Sequence, residues 1–96
     1  MQFTDFAQNP NTLYSALLRA PTGVELTWRG AVLADAVVSQ APAEALRVGA
    51  SWVGRQRTVI RDALRVGRAV AISWHGKPYA VLVPRSGRVE AVEVVR

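Results

Sequence analysis

Apolar positions along this chain recur at two periods, and the switch between them marks out the elements. Phe6, Pro10, Leu13, Leu17 and Ala20 fall at spacings of three and four, which predicts a helix. Pro10 suits a first-turn position and separates a short turn from the main helix, and Pro21-Thr22-Gly23 stops it. Before this helix, the aromatic and β-branched stretch Gln2-Phe3-Thr4 reads as a short strand. The same succession returns later. Leu46-Arg47-Val48 reads as a strand, and a second helix runs from about Ser51, a candidate N-cap, to Gly67, a candidate stop. On a helical wheel Trp52, Val53, Val59, Ile60, Ala63 and Leu64 share one side. Arg57, Arg61, Arg65 and Arg68 stack on the other.

Each helix is followed by a predicted hairpin. Val24–Trp28 turns through Arg29-Gly30 into Ala31–Val38, and Ala69–Trp74 turns through His75-Gly76 into Lys77–Val83. Glycine is expected at both turns because tight hairpins need positive φ, which a Cβ resists. The run Tyr79–Val83 is almost wholly apolar and should be covered on both faces, with Pro78 at a strand start or on an edge. The order strand, helix, hairpin, taken twice and closed by Val89–Val95, predicts about seven strands and two main helices.

The second half repeats the first at an offset of 46 residues. Pairing Phe3–Val38 with Gly49–Pro84 gives eight identities in 36 pairs, among them Arg19/Arg65, Val24/Val70, Trp28/Trp74, Gly30/Gly76 and Ala34/Ala80. Glu44-Ala45 also aligns with Glu90-Ala91, and Val48 with Val94, so the C-terminal segment reads as a third copy of the opening strand. The expected architecture is a single α+β domain over 1–96: repeat unit 1 at about 1–42, repeat unit 2 at about 43–88, and a C-terminal strand at about 89–96. A lone unit would leave one sheet edge and one apolar helix face bare. Two in one chain cover both in a pseudo-two-fold arrangement.

Composition sharpens this reading. A chain of 96 residues, half apolar and one-fifth charged, has the profile of one ordinary globular domain. The absence of cysteine excludes disulfides, thiolate nucleophiles and cysteine-based zinc sites. The N-terminus lacks a basic stretch followed by an apolar run, and no stretch is long enough to cross a bilayer; a cytoplasmic location is expected, with no membrane partner. The net charge of +5 is uneven. Residues 1–42 carry Arg19 and Arg29 against Asp5, Glu25 and Asp35, whereas residues 43–96 carry ten Lys/Arg against four acidic residues. A basic half favours an anionic partner such as nucleic acid.

The segment Ala63–Pro84 contains a helix ending in Gly67, the strand Val70-Ala71-Ile72-Ser73, the turn His75-Gly76-Lys77-Pro78 and the strand Ala80-Val81-Leu82-Val83-Pro84. In these motifs the chain resembles the Phd/YefM antitoxin family, well over Ser51–Pro84 and faintly over Phe3–Val38. The resemblance implies an antitoxin of a toxin–antitoxin system. Its N-terminal domains would dimerise and bind operator DNA, and a C-terminal extension would fold on a cognate toxin. Two departures stand out. Where the family often has an arginine early in the first helix, this chain has Gly54 and Gln8, with Arg55 adjacent, and only the 12 residues Arg85–Arg96 follow the last strand.

The candidate DNA-binding residues are Arg55, Arg57, Arg61 and Arg65 with His75 and Lys77 at the turn. Guanidinium groups suit phosphates because they stay charged and donate paired hydrogen bonds. The competing reading of such a stripe is a solvated helix face. Trp28 and Trp74 are expected to pack rather than to stack on bases. With one histidine and scattered carboxylates, no metal site, cofactor or catalytic pair is expected, and the protein is read as a non-enzyme. An alternative of another class is a protein-interaction module that binds a toxin or associates with itself without touching DNA. A homodimer of pseudo-dimers would restore two-fold symmetry to operator recognition.

Overall fold

A computed structural model describes residues 1–85 and shows a small α+β domain. Helices α1 (Phe3–Gln8) and α2 (Asn11–Arg19) precede the hairpin of β1 (Val24–Trp28) and β2 (Ala31–Val37). Strand β3 (Leu46–Gly49), a 3-10 turn at Ala50–Trp52 and helix α3 (Arg57–Arg65) precede the hairpin of β4 (Val70–Trp74) and β5 (Lys77–Pro84). The strands form one mixed sheet in the order β1-β2-β5-β4-β3, antiparallel except for the β3–β4 pair. No helix among the described residues is long and apolar enough to cross a membrane.

The core follows from the two periodicities. Phe6, Leu13, Ile60 and Leu64 are fully buried on the helices, and they share one apolar cluster with Leu26, Ala34, Ala36, Val70, Ile72, Ala80 and Leu82 of the sheet. Ala80, Val81 and Leu82 are all buried although successive strand residues point to opposite faces, so the middle of β5 is covered on both sides, whereas Val83, expected to be covered as well, is exposed. β2 and β5 meet in antiparallel register with Ala36 opposite Leu82. Pro78 lies one residue inside β5, before the first β2 partner at Val81, where no ladder donor is lost on that side.

Both hairpin turns place a side-chain-bearing residue and a glycine at positive φ, Arg29 (53°) with Gly30 (81°) and His75 (52°) with Gly76 (78°). Two consecutive left-handed residues match the twist of a two-residue hairpin. A bulge interrupts each hairpin. Leu26 and Thr27 pair with Ala34 and Val32, leaving Leu33 as the extra residue, and Ile72 and Ser73 pair with Ala80 and Pro78, leaving Tyr79. An unpaired residue of this kind bends its strand and re-aims its side chain.

Several expectations are corrected. The predicted strand Gln2-Phe3-Thr4 is reduced to a single bridge between Gln2 and Thr27, with the Met1 carbonyl accepting the Thr27 N–H at 2.9 Å. Phe3, Phe6 and Ala7, at helical spacing, are buried on α1 instead. The second helix begins at Arg57 rather than near Ser51. Gly54 approaches α1 so closely that a Cβ there would lie 3.3 Å from the Ala7 carbonyl oxygen, and the chain turns to make that contact. Trp52 lies before the helix and is half-exposed while Val53 is buried; within α3 the buried stripe runs through Ile60 and Leu64, and Val59 at its edge is half-exposed. Gly67 does end α3: its N–H bonds to the Leu64 carbonyl, and the Arg68 N–H bonds to Ala63, the paired bonds of a Schellman stop. Five strands and three α-helices stand among the described residues, against about seven and two expected. The predicted strand Val89–Val95 lies outside the described residues.

Candidate functional site

The basic side chains of α3 converge on a tryptophan from the other half of the chain. Arg61 and Arg65 are one turn apart and so share a face of the helix. Their guanidinium carbons lie 4.9 and 5.6 Å from the centre of the Trp28 ring at the end of β1. Arg29, held at left-handed φ in the adjoining turn, brings a third guanidinium to 4.5 Å. Each such contact contributes about 0.5–1 kcal/mol at an exposed site, and repulsion among three like charges offsets part of it. Arg61 also donates to Asp62 through Nε and Nη2 at 3.3 and 3.2 Å, so one of the three charges is partly neutralised. Stacking occupies the face of a guanidinium and leaves edge N–H groups free to donate.

Exposed Arg57 continues this row one turn earlier on α3, and Arg55, before the helix, lies over the Trp52 ring at 5.1 Å. Arg68 leaves the stripe: it lies beyond the helix and its Nε donates to the Glu44 carbonyl at 3.0 Å, tying the segment before β3 to the end of α3. His75 and Lys77 are separated from the Trp28 cluster. Because β2 and β5 run antiparallel about Ala36 and Leu82, the turns at Arg29-Gly30 and His75-Gly76 lie at opposite ends of those strands. Of the six residues singled out by sequence, the helix thus aligns Arg57, Arg61 and Arg65, Arg55 adjoins them, and the two turn residues stand apart. Arg29 was not among the six. Its alignment with His75 at the 46-residue offset was the available signal.

At the other end, Trp74 is about half-exposed and meets His75 edge-on at 4.9 Å. A cleft of about 370 Å³ opens beside it, lined by Asn11, Tyr14, Trp74, Lys77, Pro78 and Tyr79. The Tyr14 and Tyr79 rings stand nearly perpendicular, 5.7 Å apart. The Tyr79 hydroxyl donates to the Pro10 carbonyl at 3.5 Å, and burial pushes the Tyr79 phenol up to about 12. Trp74 is therefore not simply packed, as its sequence position suggested.

No family model, curated protein or solved structure matches the chain. The chemistry of the side chains alone sets what these surfaces can do. Among the described residues no group of His, Asp and Glu is gathered as metal ligands would be. The Trp28 cluster presents fixed cationic donors, and the Trp74 cleft presents aromatic surface with one ammonium and one amide.

Proposed function

We propose that this chain is an antitoxin-like DNA-binding regulatory protein built as a fused pseudo-dimer, with the arginine row of α3 contacting the phosphate backbone. The observation that carries the reading is the seating of Arg61 and Arg65 on Trp28. The indole restricts long side chains that would otherwise be free, so less conformational entropy is lost when they meet phosphates. Arg57 and Arg29 extend the same positive surface. The resemblance of Ser51–Pro84 to Phd/YefM antitoxins supplies the operator and the cognate toxin as partners.

The duplicated architecture is part of the proposal, and five structural offsets support it. At a separation of 46 residues, α2 (Asn11–Arg19) matches α3 (Arg57–Arg65), β1 matches β4, and the Arg29-Gly30 turn matches His75-Gly76. The bulge residues Leu33 and Tyr79 stand at the same separation, as do the facing pair Ala36 and Leu82. On α2 the positions matching Arg57 and Arg61 are Asn11 and Ser15, so the basic row belongs to the second unit. Two chains would be needed to present it with two-fold symmetry.

Titration of a mixed-sequence duplex at rising salt tests the proposal. Several phosphate contacts imply that the logarithm of affinity falls linearly with log salt, by about three orders of magnitude in affinity between 50 and 200 mM if some six contacts form. Combined Arg57→Ala, Arg61→Ala and Arg65→Ala substitution should abolish retention of the duplex with the circular dichroism spectrum retained. A flat salt response, or no binding at low salt, would refute the reading.

A further inference from the structure

We propose that the cleft beside Trp74 is a binding site for a planar aromatic anion, a ring system carrying a phosphate or carboxylate. Three observations lead there. First, the cleft is lined by two tyrosines, a tryptophan and a proline with only Lys77 and Asn11 as polar contributors, and its volume of about 370 Å³ falls in the range of small-molecule sites. Aromatic walls of this kind favour a flat ring, which stacks with little loss of side-chain freedom.

Second, the site is formed by an irregularity of the backbone. Tyr79 is the extra residue of the β4–β5 bulge, and its hydroxyl bonds to the carbonyl that precedes α2. This ring forms a wall between helix and sheet, while Tyr14 and Trp74 stay half-exposed on either side.

Third, charge selects the ligand. Three aromatic rings could equally hold a cation, but the charged group in the lining is the Lys77 ammonium, with His75 two residues away, and no carboxylate of the described residues lines the cleft. An anion is therefore favoured, and the Asn11 amide can donate to or accept from a heteroatom on the ring edge. The contrast with Trp28 agrees: that indole is covered by three guanidiniums of its own chain, whereas none lies over Trp74 among the described residues.

The inference does not rest on duplex binding, because the arginines of α3 take no part in the cleft. Isothermal titration calorimetry of the full chain with adenosine monophosphate, adenosine and naphthalene-2-carboxylate tests it. At least one of the two anions should bind. Trp74→Ala and Tyr14→Ala should each weaken that binding by about tenfold or more, as loss of a stacking partner does. Lys77→Gln should weaken it while leaving thermal unfolding unchanged. The triple arginine variant should bind the anion like the parent chain, whether or not the duplex reading survives. Binding of both anions supports the shared chemistry; binding of the nucleotide alone, or of the naphthoate alone, supports it and narrows the anionic group to phosphate or carboxylate. Adenosine binding as tightly as its monophosphate, failure of both anions to bind at millimolar concentration, or binding indifferent to Trp74→Ala would overturn the proposal.

Discussion

Ala36 of β2 faces Leu82 of β5 directly across the strand junction at the middle of the sheet, and neither side chain is accessible to solvent. A small residue opposite a large one suits a close-packed interior, where a change in volume on either side is felt. Leu82→Ala should cost about 2–5 kcal/mol and Ala36→Leu about 1–3 kcal/mol, read from urea unfolding. Because both halves contribute to one apolar cluster, each variant should unfold in a single transition that fluorescence and circular dichroism report at the same midpoint.

Trp28→Ala removes the surface on which Arg29, Arg61 and Arg65 gather. The partly buried indole also packs against the core, so a loss of about 2–3 kcal/mol is expected in chemical denaturation. Trp28→Phe keeps an aromatic face for the guanidiniums and should recover most of it.

Arg57 is exposed, and no guanidinium–indole contact holds it. Under the proposed function, Arg57→Ala should lower the slope of log affinity against log salt by about one and weaken binding evenly across duplex sequences. Measurement at four or five salt concentrations separates this from a structural defect, which would shift affinity without changing the slope.

Tyr79 gives the fold a dependence on alkaline pH. Its phenol ionises near 10 when free and near 12 in the fold, so between these values the unfolded chain has lost a proton that the native chain keeps. The stability due to the buried phenol is therefore complete below pH 10 and is lost as pH rises toward 12. Partial exposure moderates the size of the effect. Phenolate absorbance should show a late-titrating tyrosine that disappears in Tyr79→Phe, and that variant should lose less stability over the same pH interval.

Gly67 sits at φ 88° where α3 stops, with open space around its missing side chain. Gly67→Ala should therefore destabilise through backbone strain alone, by about 1–2 kcal/mol in thermal or chemical unfolding. Gly54→Ala acts differently, since its Cβ would press on the Ala7 carbonyl and the neighbouring helix would have to shift.

The hairpins were legible in the sequence nearly to the residue, because turn glycines and unbroken apolar runs are local signals that agree with the tertiary structure. Helix α1 was not, since Phe3 suits a strand by type and a helix by its spacing to Phe6 and Ala7, and burial decided between them. The start of α3 was hidden for another reason: the constraint at Gly54 comes from a carbonyl 47 residues away. The arginine row on α3 was visible as a stripe. Its seat on Trp28 was not, because that contact joins the two halves through packing that no spacing rule describes. The cleft depends on the bulge at Tyr79, and one added residue in a ladder leaves no mark in an apolar strand.

Those two bulges give the molecule unlike ends. The same backbone bend carries an aliphatic side chain at position 33, which is sealed into the interior, and a phenol at position 79, which props the surface open. A partner approaching along the strands thus meets cationic donors at one pole and an aromatic recess at the other, so the domain has a direction.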